Sequence, residues 1–114
     1  MKRYSTFMAR ADAPGWGFLT NHAQVLLCIS HDPGTLLREI GARVGITERA
    51  AHRIVGELEA AGYVTRRRNG RRNHYEVKAH LPLPDPLASE RRVGELLAIL
   101  GGGEGAGPTA GDSD

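Results

Sequence analysis

The sequence has little of what secreted, membrane-embedded or disulfide-bonded proteins need. Its 114 residues include a single cysteine, Cys28, so no disulfide can form within the chain. No stretch approaches the roughly 18 consecutive apolar residues of a membrane span. The first residues are not followed by an apolar segment of the secretory type. We therefore expect a cytoplasmic protein that does not bind membranes.

Residues that carry most catalytic and metal chemistry are also few or badly spaced. The five histidines show no tight ligand spacing, and one cysteine cannot supply a thiolate pair. Ser30, His31 and Asp32 are adjacent, so their side chains cannot orient one another as a catalytic triad does. No glycine-rich loop ends in Lys-Ser or Lys-Thr. The sequence predicts no metal site, no cofactor and no enzyme activity.

Positive charge is concentrated in the middle of the chain. The net charge is only +2, but residues 36–80 contain ten bases and five acids, whereas residues 81–114 contain two bases and six acids. Five of the seven residues from Arg66 to Arg72 are arginine. Like charges this dense repel one another unless an anion lies near. The pattern predicts one face that binds a polyanion.

The periodicity of apolar residues indicates three helices. Residues 23–30 are apolar on nearly all sides, which is typical of a buried central helix. A second helix begins near Thr35 and ends at Gly45, and a third is capped by Thr47. Their buried stripes are predicted to contain Leu36, Leu37, Ile40 and Val44 in the second helix, and Ala51, Ile54, Val55 and Leu58 in the third.

Two strands with a tight turn are predicted after the third helix. Residues 63–67 and 74–78 form the strands, and Asn69-Gly70 is a strong hairpin turn signal. Val64, Tyr75 and Val77 are expected to point inward.

A proline-rich segment then interrupts regular structure. Prolines at positions 82, 84 and 86 exclude a helix or a central strand, which indicates an extended connector. A fourth helix is predicted at residues 87–100. Its apolar residues and the region around Trp16 are expected to hold a homodimer together. The expected organisation is a flexible segment at 1–14, a basic folded domain at 15–80, a connector at 81–86, the fourth helix at 87–100 and a disordered tail at 101–114.

The second and third helices are separated only by Gly45-Ile46-Thr47, a spacing that predicts a helix-turn-helix. With the basic hairpin RRRNGRRNHYEV, residues 20–78 resemble the winged helix-turn-helix domain of MarR-like bacterial transcriptional regulators. The resemblance implies a mainly α fold with a small β-hairpin (α+β): a three-helix core, a wing and a C-terminal helix. It also implies a sequence-specific regulator that binds double-stranded DNA.

Candidate DNA-binding residues lie on the third helix and the wing. Once the buried stripe points inward, the other face of the third helix can reach base edges in the major groove. The wing can bind the backbone or the minor groove. The predicted contacts are Thr47, Glu48, Arg49, His52 and Arg53 on the helix, and Arg66, Arg68, Asn69, Arg71 and Arg72 on the wing.

Other roles stay open at this point. A nucleoid-type protein that binds DNA without sequence preference would share the fold and the charge, and winged-helix domains also serve as protein or RNA interaction modules. RNA binders usually present stacking aromatic side chains, and the basic region has only Tyr63 and Tyr75. The pocket of MarR-like regulators depends on long flanking helices that this sequence lacks, so the sequence leaves a small-molecule effector unknown.

Overall fold

The computed structural model describes residues 14–101, so the segments expected to be flexible or disordered lie, apart from Pro14 and Gly101, outside the described residues. The elements are α1 (Asn21–His31), α2 (Leu37–Val44), α3 (Glu48–Ala60), β1 (Val64–Asn69), β2 (Arg72–Val77) and α4 (Val93–Ile99). Four helices and one antiparallel hairpin confirm the predicted winged helix-turn-helix class. Within residues 14–101, no helix is both long enough and apolar enough to cross a membrane.

Helix α1 is the central helix of the core, as predicted. Val25 and Ile29 are 0% and 1% exposed. Thr20 caps the helix, since its hydroxyl oxygen accepts a hydrogen bond from the Ala23 N–H at 3.1 Å. The side-chain amide of Gln24 donates to the Leu19 carbonyl oxygen at 3.2 Å, which ties the start of the helix to the preceding segment.

The helix-turn-helix is held by a close backbone approach that requires glycine. Gly41, in the middle of α2, is buried, and a Cβ atom there would lie 2.7 Å from the Ile46 carbonyl oxygen in the turn. Gly45 ends α2 with a φ of 90°, and the Thr47 hydroxyl oxygen accepts from the Ala50 N–H at 3.0 Å to cap α3. Without a side chain at position 41, the turn packs directly against α2 and sets the direction of α3.

The wing is longer than its predicted strands, and its turn lies one residue later. β1 and β2 pair antiparallel from Val64↔Val77 to Asn69↔Arg72, so the two-residue turn is Gly70-Arg71 rather than Asn69-Gly70. Val64 and Tyr75 are each 3% exposed, which confirms that they point inward. The Tyr75 N–H donates to the Pro33 carbonyl oxygen at 2.9 Å and joins β2 to the loop after α1.

The C-terminal region differs most from its prediction. Helix α4 spans Val93–Ile99 rather than residues 87–100, and a turn of 3-10 helix at Pro86–Ala88 precedes it. The expected connector does not carry the helix away from the domain. The Leu83 N–H donates to the Arg91 carbonyl oxygen, and the Val93 N–H donates to the Leu81 carbonyl oxygen, both at 2.9 Å.

The segment before α4 can fold back onto the domain because its prolines alternate with residues that keep their N–H groups. In an extended segment, alternate residues direct their hydrogen-bonding groups to the same side, so Leu83 can pair while its proline neighbours cannot donate. Val93 and Leu97, expected at a dimer surface, are 2% and 6% exposed within the core of their own chain.

Candidate nucleic-acid interface

The outer face of α3, defined as Glu48, Arg49, His52, Arg53 and Gly56, is exposed at every one of these residues. The opposite face packs inward through the predicted stripe of Ala51, Ile54, Val55 and Leu58, each at most 6% exposed. Because the stripe fixes the rotation of the helix about its axis, it also fixes which side chains reach outward. Thr47 lies at the start of this face, and its hydroxyl already serves as the cap.

The outer face carries charge at its centre and an ion pair at its edge. Among residues 14–101, Arg49 has no carboxylate within 4 Å, whereas Arg53 Nη1 lies 3.2 Å from Glu57 Oε2. Glu57 is in turn contacted by His22 from α1, whose Nε2 donates to Glu57 Oε1 at 2.7 Å. The hydrogen bonds from His22 and then from Arg53 hold the pKa of Glu57 below its usual range.

Arg53 was predicted from the sequence to contact DNA, but no role was predicted for Glu57, which pairs with it, or for His22, which contacts Glu57. The i, i+4 spacing of Arg53 and Glu57 was a readable signal for a pair on one helix. His22 could not be found in this way, because it lies 35 residues from Glu57 and only the packing of α1 against α3 brings them together.

The base of the wing is attached to the C-terminal part of α3. Arg66 Nε lies 3.2 Å from Glu59 Oε2, so this predicted DNA contact is engaged within the protein. On β2, the carboxylate of Glu76 forms ion pairs with two basic side chains, Arg67 with Nη2 at 3.4 Å and Lys78 with Nζ at 3.7 Å. Because these pairs are at least partly exposed, they contribute little to stability, and they neutralise charge near the base of the wing.

The tip of the wing keeps its positive charge. Arg68 Nε donates to the Gly70 carbonyl oxygen at 3.3 Å, and no carboxylate of residues 14–101 lies within 4 Å of its guanidinium. Neither Arg71 nor Arg72 has a carboxylate within 4 Å in the described part of the chain. Asn69, the last residue of β1, pairs with Arg72 across the strands. The structure thus brings four of the five predicted wing residues to the exposed tip.

A groove of about 200 Å³ joins the tip of the wing to the start of the two helices of the helix-turn-helix. Arg38 from α2, Glu48 from α3, and Arg71 and Arg72 from the wing all line it. Glu39 lies beside it, and its carboxylate oxygen accepts from the Leu36 N–H at 2.9 Å. This bond, with smaller contributions from Thr35 and from the nearby arginines, holds the pKa of Glu39 below its usual range.

An apolar cavity and a buried thiol lie away from this face. The cavity, about 110 Å³, lies between the start of α1, Tyr63 and α4. Cys28 is buried in the core, and burial raises the pKa of its thiol. No group of three or more His, Cys, Asp or Glu side chains within residues 14–101 is arranged to hold a metal ion.

Comparison with known proteins gives one family match. The family model described as MarR family matches residues 16–72, which is half of the chain. No curated protein matches.

Solved structures that are similar to this chain include two bacterial proteins. A MarR family protein from Mycobacterium tuberculosis in complex with salicylic acid is 24% identical, with a TM-score of 0.47, over 81% of this chain and 67% of its own. The PcaV transcriptional regulator from Streptomyces coelicolor, in complex with its natural ligand, is 22% identical, with a TM-score of 0.46, over 92% of this chain and 70% of its own.

Proposed function

The chain belongs to the MarR family of transcriptional regulators, and we propose that it binds specific sites in double-stranded DNA through α3 and the wing. The observation that carries the proposal is the groove where α2, α3 and the wing meet. Arg38, Arg71 and Arg72 line it, and within residues 14–101 none of the three has a carboxylate within 4 Å. Three guanidinium groups outnumber the one carboxylate that lines the groove, that of Glu48, and none of them is held in a direct ion pair, so the groove is suited to bind phosphate oxygens.

In this arrangement α3 lies in the major groove and reads base edges. Arg49 and Arg53 offer the paired donors that recognise guanine, and His52 lies beside them on the same face. Glu48, in the first turn, can accept a hydrogen bond from the amino group of cytosine. The capping hydroxyl of Thr47 keeps its own hydrogen to donate to a phosphate.

The wing holds the backbone or the adjacent minor groove. Arg68, Arg71 and Arg72 lie at its tip, where a narrow minor groove or a phosphate would compensate their charge. Arg66 contributes less, because Glu59 already compensates it at 3.2 Å. All of these side chains act by binding DNA, and none is assigned a catalytic step. A regulator of this kind acts in the cytoplasm, where the bacterial chromosome lies.

Selection of bound duplexes from a random pool tests the proposal directly. A specific regulator enriches one sequence, whereas a nucleoid-type protein enriches none. His52→Ala or Arg53→Ala should weaken binding to the selected duplex by ~1–3 kcal/mol for each lost base contact and change binding to random duplex less. Arg71→Ala or Arg72→Ala should weaken binding to both duplexes alike. Equal losses on both duplexes for all four variants would contradict base reading by α3.

We further propose that the regulator acts as a homodimer, with an interface that includes the segment before α1. Val93 and Leu97 are buried in the core of their own chain, so they are not free to contact a partner. Trp16 and Phe18, by contrast, are 63% and 92% exposed. Their rings meet edge to face with centroids 5.2 Å apart, and together they form an apolar surface next to α1. Twofold symmetry would make the DNA site a pseudo-palindrome with half-sites roughly one helical turn apart.

Sedimentation at micromolar concentration tests the dimer. Phe18→Asp should convert it to a folded monomer, because a buried carboxylate without a partner is costly at an interface. Leu87→Asp is the control, since it makes the same change at another exposed apolar residue, in the 3-10 turn. It should leave the dimer intact if the interface is formed by the segment before α1 and not by that turn. A monomeric wild type would refute the dimer, and a dimeric Phe18→Asp protein would move its interface elsewhere.

A further inference from the structure

Glu57 lies at the edge of the outer face of α3 and uses both of its carboxylate oxygens. Oε2 is 3.2 Å from Arg53 Nη1, one turn earlier on the same helix. Oε1 accepts from His22 Nε2 at 2.7 Å, and His22 lies in the first turn of α1. The carboxylate therefore connects the body of the domain to the last arginine of the outer face.

The pair on α3 would be weak without its second anchor. Exposed i, i+4 pairs contribute about 0.3–0.5 kcal/mol, and an arginine placed N-terminal to its glutamate is the less favourable order. His22 changes this because it holds Glu57 from a different helix, so the carboxylate is already oriented when Arg53 meets it. Less side-chain entropy is then lost when the ion pair forms.

We propose that Glu57 is a positioning residue that directs the guanidinium of Arg53 toward base edges and thereby increases the sequence specificity of the regulator. This inference rests on the proposed function. A free arginine at this position can turn to the nearest phosphate, which carries no sequence information. Held by Glu57, the same side chain presents its remaining donors in one direction, while the carboxylate repels phosphates at that edge.

The charge-neutral variant Glu57→Gln should change the binding of two duplexes in opposite directions. Affinity for the selected duplex should fall about fivefold or more, since the base contact of Arg53 loses its orientation. Affinity for random duplex should rise severalfold at low salt, because one repulsive charge is gone and Arg53 can bind phosphate. A glutamate that only stabilised the fold would not raise the affinity for random duplex.

Three further variants separate this role from general charge or folding effects. Glu95→Gln removes the same charge from an equally exposed glutamate of α4, which pairs with Arg91 just before the helix. Glutamine can still accept the Arg92 N–H that caps α4, so both affinities should stay unchanged. His22→Ala should reproduce part of the Glu57→Gln effect, whereas His22→Gln, which keeps a donor, should restore specificity. In an Arg53→Ala background, Glu57→Gln should no longer lower the ratio of the two affinities.

The outcomes distinguish this inference from the proposed function. If the wild type discriminates between the two duplexes and Glu57→Gln discriminates equally well, Glu57 does not position Arg53. The same conclusion follows if Glu57→Gln lowers the ratio as much in the Arg53→Ala background as in the wild type. A wild type that does not discriminate overturns the proposed sequence specificity and this inference with it.

Discussion

Two alanine substitutions at helical glycines should change stability in opposite directions. Gly41 in α2 and Gly56 in α3 both lie inside helices, where alanine is intrinsically favoured over glycine by about 1 kcal/mol. Their surroundings differ completely. A Cβ at position 41 would lie 2.7 Å from the Ile46 carbonyl oxygen and 3.3 Å from the Thr47 backbone, whereas a Cβ at position 56 would meet nothing within 4 Å.

The expected magnitudes follow from these contacts. At Gly56 only the helix propensity acts, so Gly56→Ala should stabilise the protein by about 0.5–1 kcal/mol. At Gly41 the clash is with backbone, which cannot rotate away, so the cost lies near the upper end of ~1–3 kcal/mol for overpacking. After the gain of about 1 kcal/mol in propensity, Gly41→Ala should destabilise the protein by ~2 kcal/mol.

Thermal and urea unfolding of the wild type and both variants measure the difference. For a domain of this size ~1 kcal/mol corresponds to about 4–8 °C in Tm, so the two variants should move clearly apart around the wild type. Because Gly41 allows the turn to approach α2 closely, its replacement should also shift α3 and lower the affinity for the selected duplex. A Gly41→Ala protein as stable as Gly56→Ala would refute the close packing of α2 against the turn.

Three more outcomes follow from the contacts. Binding to duplex DNA should weaken steeply with salt, with a slope of log affinity against log salt of about −5 if a dimer neutralises about six phosphates; a flat response would contradict the polyanion-binding face. Leu97→Ala should destabilise the protein by ~2–4 kcal/mol at any protein concentration, because Leu97 is 6% exposed in its own core, whereas Ile99→Ala, at 80% exposed, should change stability by less than ~0.5 kcal/mol. The pKa of Glu39 is lower in the folded protein than in the unfolded chain, where a glutamate has a pKa of about 4.3. The ionised Glu39 therefore stabilises the fold at pH values above about 4.3, and this stabilisation is lost as the pH falls through the folded pKa. Urea unfolding between pH 6 and 3 should therefore show a smaller acid loss for Glu39→Gln than for the wild type.

Local chemistry written in the sequence was sufficient for the helix-turn-helix. Gly45 ends α2 because a left-handed residue is needed there, and Thr47 begins α3 because its hydroxyl satisfies a free N–H. The buried stripe of α3 follows from the helical period, which also determines its exposed residues. Each of these features depends on residues within one or two turns of the chain.

The bounds of the C-terminal helix and the packing of Val93 and Leu97 differ from the prediction for a physical reason. The apolar residues of 87–100 correctly indicated a helix, but whether they pack on a partner or on their own domain depends on where the chain can go. The pairing of Leu83 with Arg91 returns α4 to the core, and no local pattern reports a contact between two irregular segments.

The sequence by itself determined the order of the helices, the position of the turn between α2 and α3, and the concentration of arginine on the wing, because caps, period and charge are properties of neighbouring residues. Only the tertiary structure decided which arginines keep a free charge. Glu59 of α3 engages Arg66 of β1, but Arg71 and Arg72 lie more than 4 Å from any carboxylate among residues 14–101. Ion pairing between elements depends on distances in space, and packing of the core fixes those distances after the local structure has formed.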